Sequence, residues 1–141
     1  MKVKEGADGP WRFTTTEPLV FVLSQPPTRL FENDWLHVSN TGLLVISAGY
    51  SWDGCSKSPD GPRGYDGLPV TWRASLIHDA LYQFCIDNGV YTRAQADQFF
   101  KEALQEAGFA FWPVYYAAVR LFGGVFHAMG READQKQPEG V

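Results

Sequence analysis

A chain of 141 residues is long enough for one domain with its own core, and an aromatic content of 15% supplies ample apolar surface to fill it. The formal net charge is −4 and no Lys/Arg cluster occurs, which disfavours a nucleic-acid partner. Two cysteines, Cys55 and Cys85, are too few for a disulfide framework, and no C-x-x-C or H-x-x-x-H spacing supports a zinc site.

No apolar run follows Met1, so no signal peptide of the usual kind is expected. Met1 to Gly9 is polar and reads as loose. Trp11 to Thr16 and Leu19 to Leu23 read as strands, rich in aromatic, β-branched and Thr residues, until Gln25-Pro26-Pro27-Thr28 breaks the run. Trp35 to Ser39 and Leu43 to Ser47 flank Asn40-Thr41-Gly42, a hairpin turn with glycine at a positive-φ position. The amino-terminal third is thus expected to form a small antiparallel sheet of three or four strands.

Tyr50 to Pro69 is a long Gly/Asp-rich loop with three Asp-Gly pairs, at Asp53, Asp60 and Asp66. Asp-Gly is first a turn signal. The functional alternative puts Asp53 with Asp79 at an oxygen-ligand site for a hard divalent cation, calcium or magnesium. No EF-hand pattern is present. Cys55 and Cys85 read as reduced, small, partly buried side chains, with a Cys55–Cys85 bridge as the alternative.

Thr71 to Gly108 reads as two helices joined by a short turn. The first starts at a Thr71 N-cap and ends near Asn88-Gly89. At 100° per residue, Leu76, Ile77, Ala80, Leu81 and Phe84 share one arc, and Ser75, His78, Asp79 and Tyr82 share the opposite one. The second helix opens at Thr92 with Gln95 completing a capping box, and Gly108 closes it. Its apolar face is Ala96, Phe99, Phe100, Ala103, Leu104 and Ala107. Asp97 sits on the margin of that face, where an unpaired carboxylate would be costly; its candidate partners are Arg93, at i−4, and His78.

If the two helices pack antiparallel, Asp97 can hold one nitrogen of His78 while the other faces a water or substrate. That is the arrangement of a general base, with the acid fixing the tautomer and stabilising the imidazolium. Tyr82, one turn from His78, joins the cluster, and Asp79 is left to bind a cation. The plainer reading is an exposed polar helix face with Arg93–Asp97 as an ordinary ion pair.

Trp112-Pro113 starts a third helix. From Phe109 to Phe126 there is a single charge, Arg120, so a membrane span has to be weighed. A mid-span arginine costs roughly 2.5–3.5 kcal/mol on insertion scales, and Pro113 and Gly123-Gly124 add breaks, so a core helix is the better reading. Arg120 is expected to pair with an acidic loop residue. The expected organisation is one α+β domain over residues 1–130, with a sheet, a loop and three helices, followed by a frayed polar tail over 131–141.

The order of motifs resembles the phage and prophage family DUF 1353, a domain of unknown function. The matching pieces are "LLVISAGYSWDGCS", "ASLIHDALYQ", "TRAQADQFF" and "YYAAVRLFG". This resemblance implies a phage or prophage origin, synthesis in a host cytoplasm, and possible partners among phage structural proteins. A remoter resemblance is to phospholipase A2 enzymes, whose active-site helix carries His-Asp-x-x-Tyr; here "HDALY" places His78, Asp79 and Tyr82 at that spacing, and "ADQFF" offers Asp97. It implies His78 as the base for water attacking an ester, Asp97 orienting His78, Asp79 binding calcium, and a lipid or cell-envelope substrate. The calcium loop of those enzymes has no counterpart here. Two functions are therefore expected to compete: a metal-assisted His/Asp hydrolase, and a non-enzymatic virion or accessory protein whose His/Asp cluster is a structural polar network.

Overall fold

The computed structural model of the chain describes residues 1–5, 13–52, 54, 61–64 and 66–134, with side chains of the last helix described through residue 123. It is an α+β fold. Seven short strands come first, β1 Val3–Glu5, β2 Phe13–Thr15, β3 Leu19–Val22, β4 Phe31–Glu32, β5 Leu36–Val38, β6 Leu43–Ile46 and β7 Ser51–Trp52; three helices follow, α1 Trp72–Phe84, α2 Arg93–Glu106 and α3 Trp112–Asp134.

The strands form two antiparallel sheets where one was expected, β1-β2-β7 and β3-β6-β5-β4. The start of the chain, expected to be loose, supplies β1, which pairs Val3 with Thr15 and Glu5 with Phe13. The four-stranded sheet alternates as a sheet with one wet face should: Leu19, Phe21, Leu36, Val38, Leu44 and Ile46 are buried, and Val20, Val22 and Leu43 are exposed. Its hairpin turn forms as expected. Gly42 has φ +91°, and a Cβ there would lie 3.1 Å from the carbonyl oxygens of Leu23 and Gln25.

In the loop, Asp66 is a turn former: its Oδ1 accepts from Leu68 N at 3.0 Å, beside Gly67 at φ +80°. Asp53, Cys55 and Asp60 lie outside the described residues, as do Trp11 and residues 135–141. Cys85 is buried and free, and burial pushes its thiol up to about 12, which leaves it unreactive.

α1 differs most from its expectation. Both its faces are buried, the polar Ser75, His78, Tyr82 and Gln83 as well as the apolar arc, while Asp79 is exposed. Polar side chains on a helix buried on both faces must be satisfied internally. Tyr50 on the sheet side donates to Gln83 Oε1 at 2.6 Å. At the other end Trp72 packs on the β2–β7 sheet, its ring 4.5 Å from Phe13 and 5.8 Å from Trp52. Thr71 stands at the N-cap position with αR backbone and makes no side-chain cap bond. The helix stops at Phe84, a turn before Asn88-Gly89, because Asn88 Nδ2 folds back to donate to the Phe84 carbonyl.

α2 begins as expected. Thr92 and Gln95 form the reciprocal capping box, which contributes about 1 kcal/mol in typical settings. Ala107, placed on its apolar face by the pattern, is exposed at the C-cap. Arg73 ties the helices to the sheet: it donates to Val20 O at 3.1 Å and lies over the Phe21 ring. α3 runs unbroken through Gly123-Gly124 to Asp134. Among the described residues no helix is long and apolar enough to cross a membrane.

Candidate active site

The three helices meet at one carboxylate. Asp97, on the second turn of α2, is fully buried. Its Oδ1 accepts from His78 Nε2 at 2.7 Å and from the Tyr82 hydroxyl at 2.5 Å, both on α1. Its Oδ2 accepts from Arg120 Nη1 on α3, also at 2.7 Å. A carboxylate with no water contact requires such donors, and charge-assisted bonds of this length are the strong kind.

The i, i+4 spacing of His78 and Tyr82 stacks their rings, with centroids 4.0 Å apart, and Phe100 of α2 closes the other side at 5.0 Å. His78 is 4% exposed, so the polar arc of α1 is an internal seam rather than a wet surface. Burial and then the Asp97 carboxylate push the Tyr82 hydroxyl upward, which keeps it a donor.

Burial also works against a charged imidazole, but hydrogen bonding and charge from Asp79 and Asp97 outweigh it and hold His78 above its ordinary value. The native ring therefore binds its proton more tightly than the unfolded one. The resulting contribution to stability is whole below the unfolded value of 6.5 and fades as pH rises through the native value. Thermal melts of wild type and His78→Gln across this window should show the wild-type advantage shrinking as pH rises; an advantage that grows would contradict the assignment.

Of the residues singled out from the sequence, His78, Tyr82 and Asp97 converge. Asp79 points outward, its side chain 47% exposed and its Oδ1 3.9 Å from His78 Nδ1. Asp53 lies outside the described residues, and among those described no group of three or more His, Cys, Asp and Glu could hold a metal ion.

Two expectations about partners are corrected. Arg120 pairs with Asp97 on a helix, not with an acidic loop residue, and Arg93 makes no ion pair with Asp97. Arg93 instead lies against the Tyr82 hydroxyl, its Nε buried without a hydrogen-bond partner. The pattern gave Gly123 only as a helix break and missed its place at the site. A Cβ at this position would sit 2.5 Å from Tyr82 Oη and 3.1 Å from Arg93 Nε, so the α3 backbone presses directly on the site.

Residues 30–119 match the family model described as "Protein of unknown function (DUF1353)". Comparisons with curated proteins and with solved structures return no match.

Proposed function

We infer that this chain, which belongs to the DUF1353 family of proteins of unknown function, is a phage-associated hydrolase of esters, with a phospholipid or cell-envelope component as the substrate class. The observation that carries this reading is the two-sided setting of one ring. His78 Nε2 is bound to Asp97 at 2.7 Å, while Nδ1 faces the Asp79 carboxylate across 3.9 Å, a gap that one shared water can bridge.

In the reaction, Nδ1 takes a proton from that water as its oxygen attacks the ester carbonyl. Asp97 keeps the Nε2 proton in place and stabilises the imidazolium. The ring then passes the new proton to the leaving alkoxide, and the cycle closes with His78 neutral. Because the base must start neutral, the rate should rise with pH through the raised His78 value.

Asp79, with Asp53, would hold a divalent cation such as calcium or magnesium, which would polarise the carbonyl oxygen. Among the described residues the fit is incomplete, since Asp79 brings one carboxylate and hard cations take six or more oxygens. No step above is routed through a cation.

The test is hydrolysis of a panel of fluorogenic esters, with calcium or magnesium titrated in, by wild type and His78→Ala. Loss of a positioned base should lower turnover by roughly 10²–10⁴-fold. Equal rates, or no turnover in either protein across several ester classes, would favour the second reading. That reading is a non-enzymatic phage virion or accessory protein in which the cluster fixes helix register. The near-complete burial of His78 and Asp97 favours it.

A further inference from the structure

The hydrolase reading needs Asp97 to hold His78 in one orientation, and both donors on Oδ1 come from one helix, α1. A carboxylate bound through one oxygen alone keeps some freedom about its Cβ–Cγ bond, which loosens its bond to the imidazole. In this chain the second oxygen is taken by Arg120 Nη1 at 2.7 Å, from a different helix. Arg120 and Gly123 are three residues apart on α3 and so share a face. Gly123 lets that helix approach until its backbone lies against the Tyr82 hydroxyl. The Arg120 side chain is 38% exposed, so it is partly solvated while its Nη1 reaches a carboxylate with no exposure at all.

We propose that Arg120 is a positioning residue: by holding Oδ2 it locks the Asp97 carboxylate so that Oδ1 stays on His78 Nε2, leaving Nδ1 as the working nitrogen. Arg120 does not touch the reacting atoms. It acts through Asp97, and it makes α3 the back wall of the site. This role rests on the hydrolase reading for its purpose, but not for its measurement.

The experiment is NMR of uniformly ¹⁵N-labelled protein, following the Nε2–H proton of His78 and its exchange with water in wild type, Arg120→Lys and Arg120→Gln. Lysine keeps a cationic donor and should keep a protected Nε2–H signal. Glutamine should release the carboxylate and speed exchange by roughly tenfold or more, the scale of one lost charge-assisted bond, with the Trp52 indole signal in the distant core unchanged. Equal protection in all three proteins overturns the proposal, as does equal loss in Lys and Gln. Should Arg120→Gln not fold, Arg120→Ala is studied with free guanidinium ion in millimolar amount to fill the vacated place beside Asp97 Oδ2. Protection of Nε2–H that rises with guanidinium and not with sodium supports the lock, and protection indifferent to the added cation overturns it. Because the signal comes from the ring and not from turnover, failure of the lock and absence of hydrolysis are separate results.

Discussion

Asp97→Ala should lower stability by about 2–4 kcal/mol, the largest loss expected from any substitution in the site. The substitution leaves three donors from two helices without their acceptor: His78 Nε2, the Tyr82 hydroxyl and Arg120 Nη1. Breaking a fully buried pair commonly costs about 3–5 kcal/mol, but Arg120 is partly exposed and can return to water, which reduces its share. Asp97→Asn keeps one acceptor oxygen for Nε2 but turns an NH2 donor toward Arg120, which can return to water, so it should cost less than alanine, about 1–2 kcal/mol. Chemical denaturation of both variants checks the order. A loss in Asp97→Ala below about 1 kcal/mol would mean that the three helices are not held together through this carboxylate.

Gly123→Ala should destabilise, although the same change in an open helix would stabilise. Alanine improves helix propensity by about 1 kcal/mol over glycine. Here the added methyl would lie 2.5 Å from Tyr82 Oη and 3.1 Å from Arg93 Nε. Tyr82 is 3% exposed and its hydroxyl is fixed on Asp97, so the ring cannot swing aside. With the hydroxyl pinned, overpacking falls in the upper part of its usual range, about 2–3 kcal/mol, which outweighs the propensity gain and leaves a net loss of about 1–2 kcal/mol. A melt that moves upward instead would show that α3 does not press on Tyr82.

The convergence of His78, Tyr82 and Asp97 was partly legible in the sequence, and its bracing was not. The i, i+4 spacing puts His78 and Tyr82 together by helix geometry alone, and a carboxylate on an apolar margin must find a donor, which narrowed the partners of Asp97 to Arg93 and His78, of which the structure takes His78. Arg120 stood out as a lone charge among apolar residues, but one helix's pattern does not say which neighbouring helix it faces. Gly123 reads as a helix breaker in any local window; its value lies in a contact with Tyr82, 41 positions earlier in the chain. For the same reason the plainer reading left the outer arc of α1 solvated: His78 and Tyr82 are satisfied by Asp97 of α2, which a single periodicity cannot reveal.

In the fold, the capping box at Thr92 and the hairpin at Gly42 were readable because both are local chemistry. β4 and β7, at two residues each, are too short to show a period of two, and β1 is defined by its pairing with β2 rather than by its own composition.

Asp97 braces three helices whether or not His78 does chemistry, so turnover is the readout that separates enzyme from scaffold. The most direct measurement is a cycle of ester-hydrolysis rates for wild type, His78→Ala, Asp97→Asn and the double variant, on whichever ester the wild type cleaves best. Residues that act as one catalytic unit are strongly non-additive. The account predicts that His78→Ala abolishes most of the rate and that adding Asp97→Asn lowers it no further. Full independent losses in the double variant, or a His78→Ala protein as fast as wild type, would contradict it.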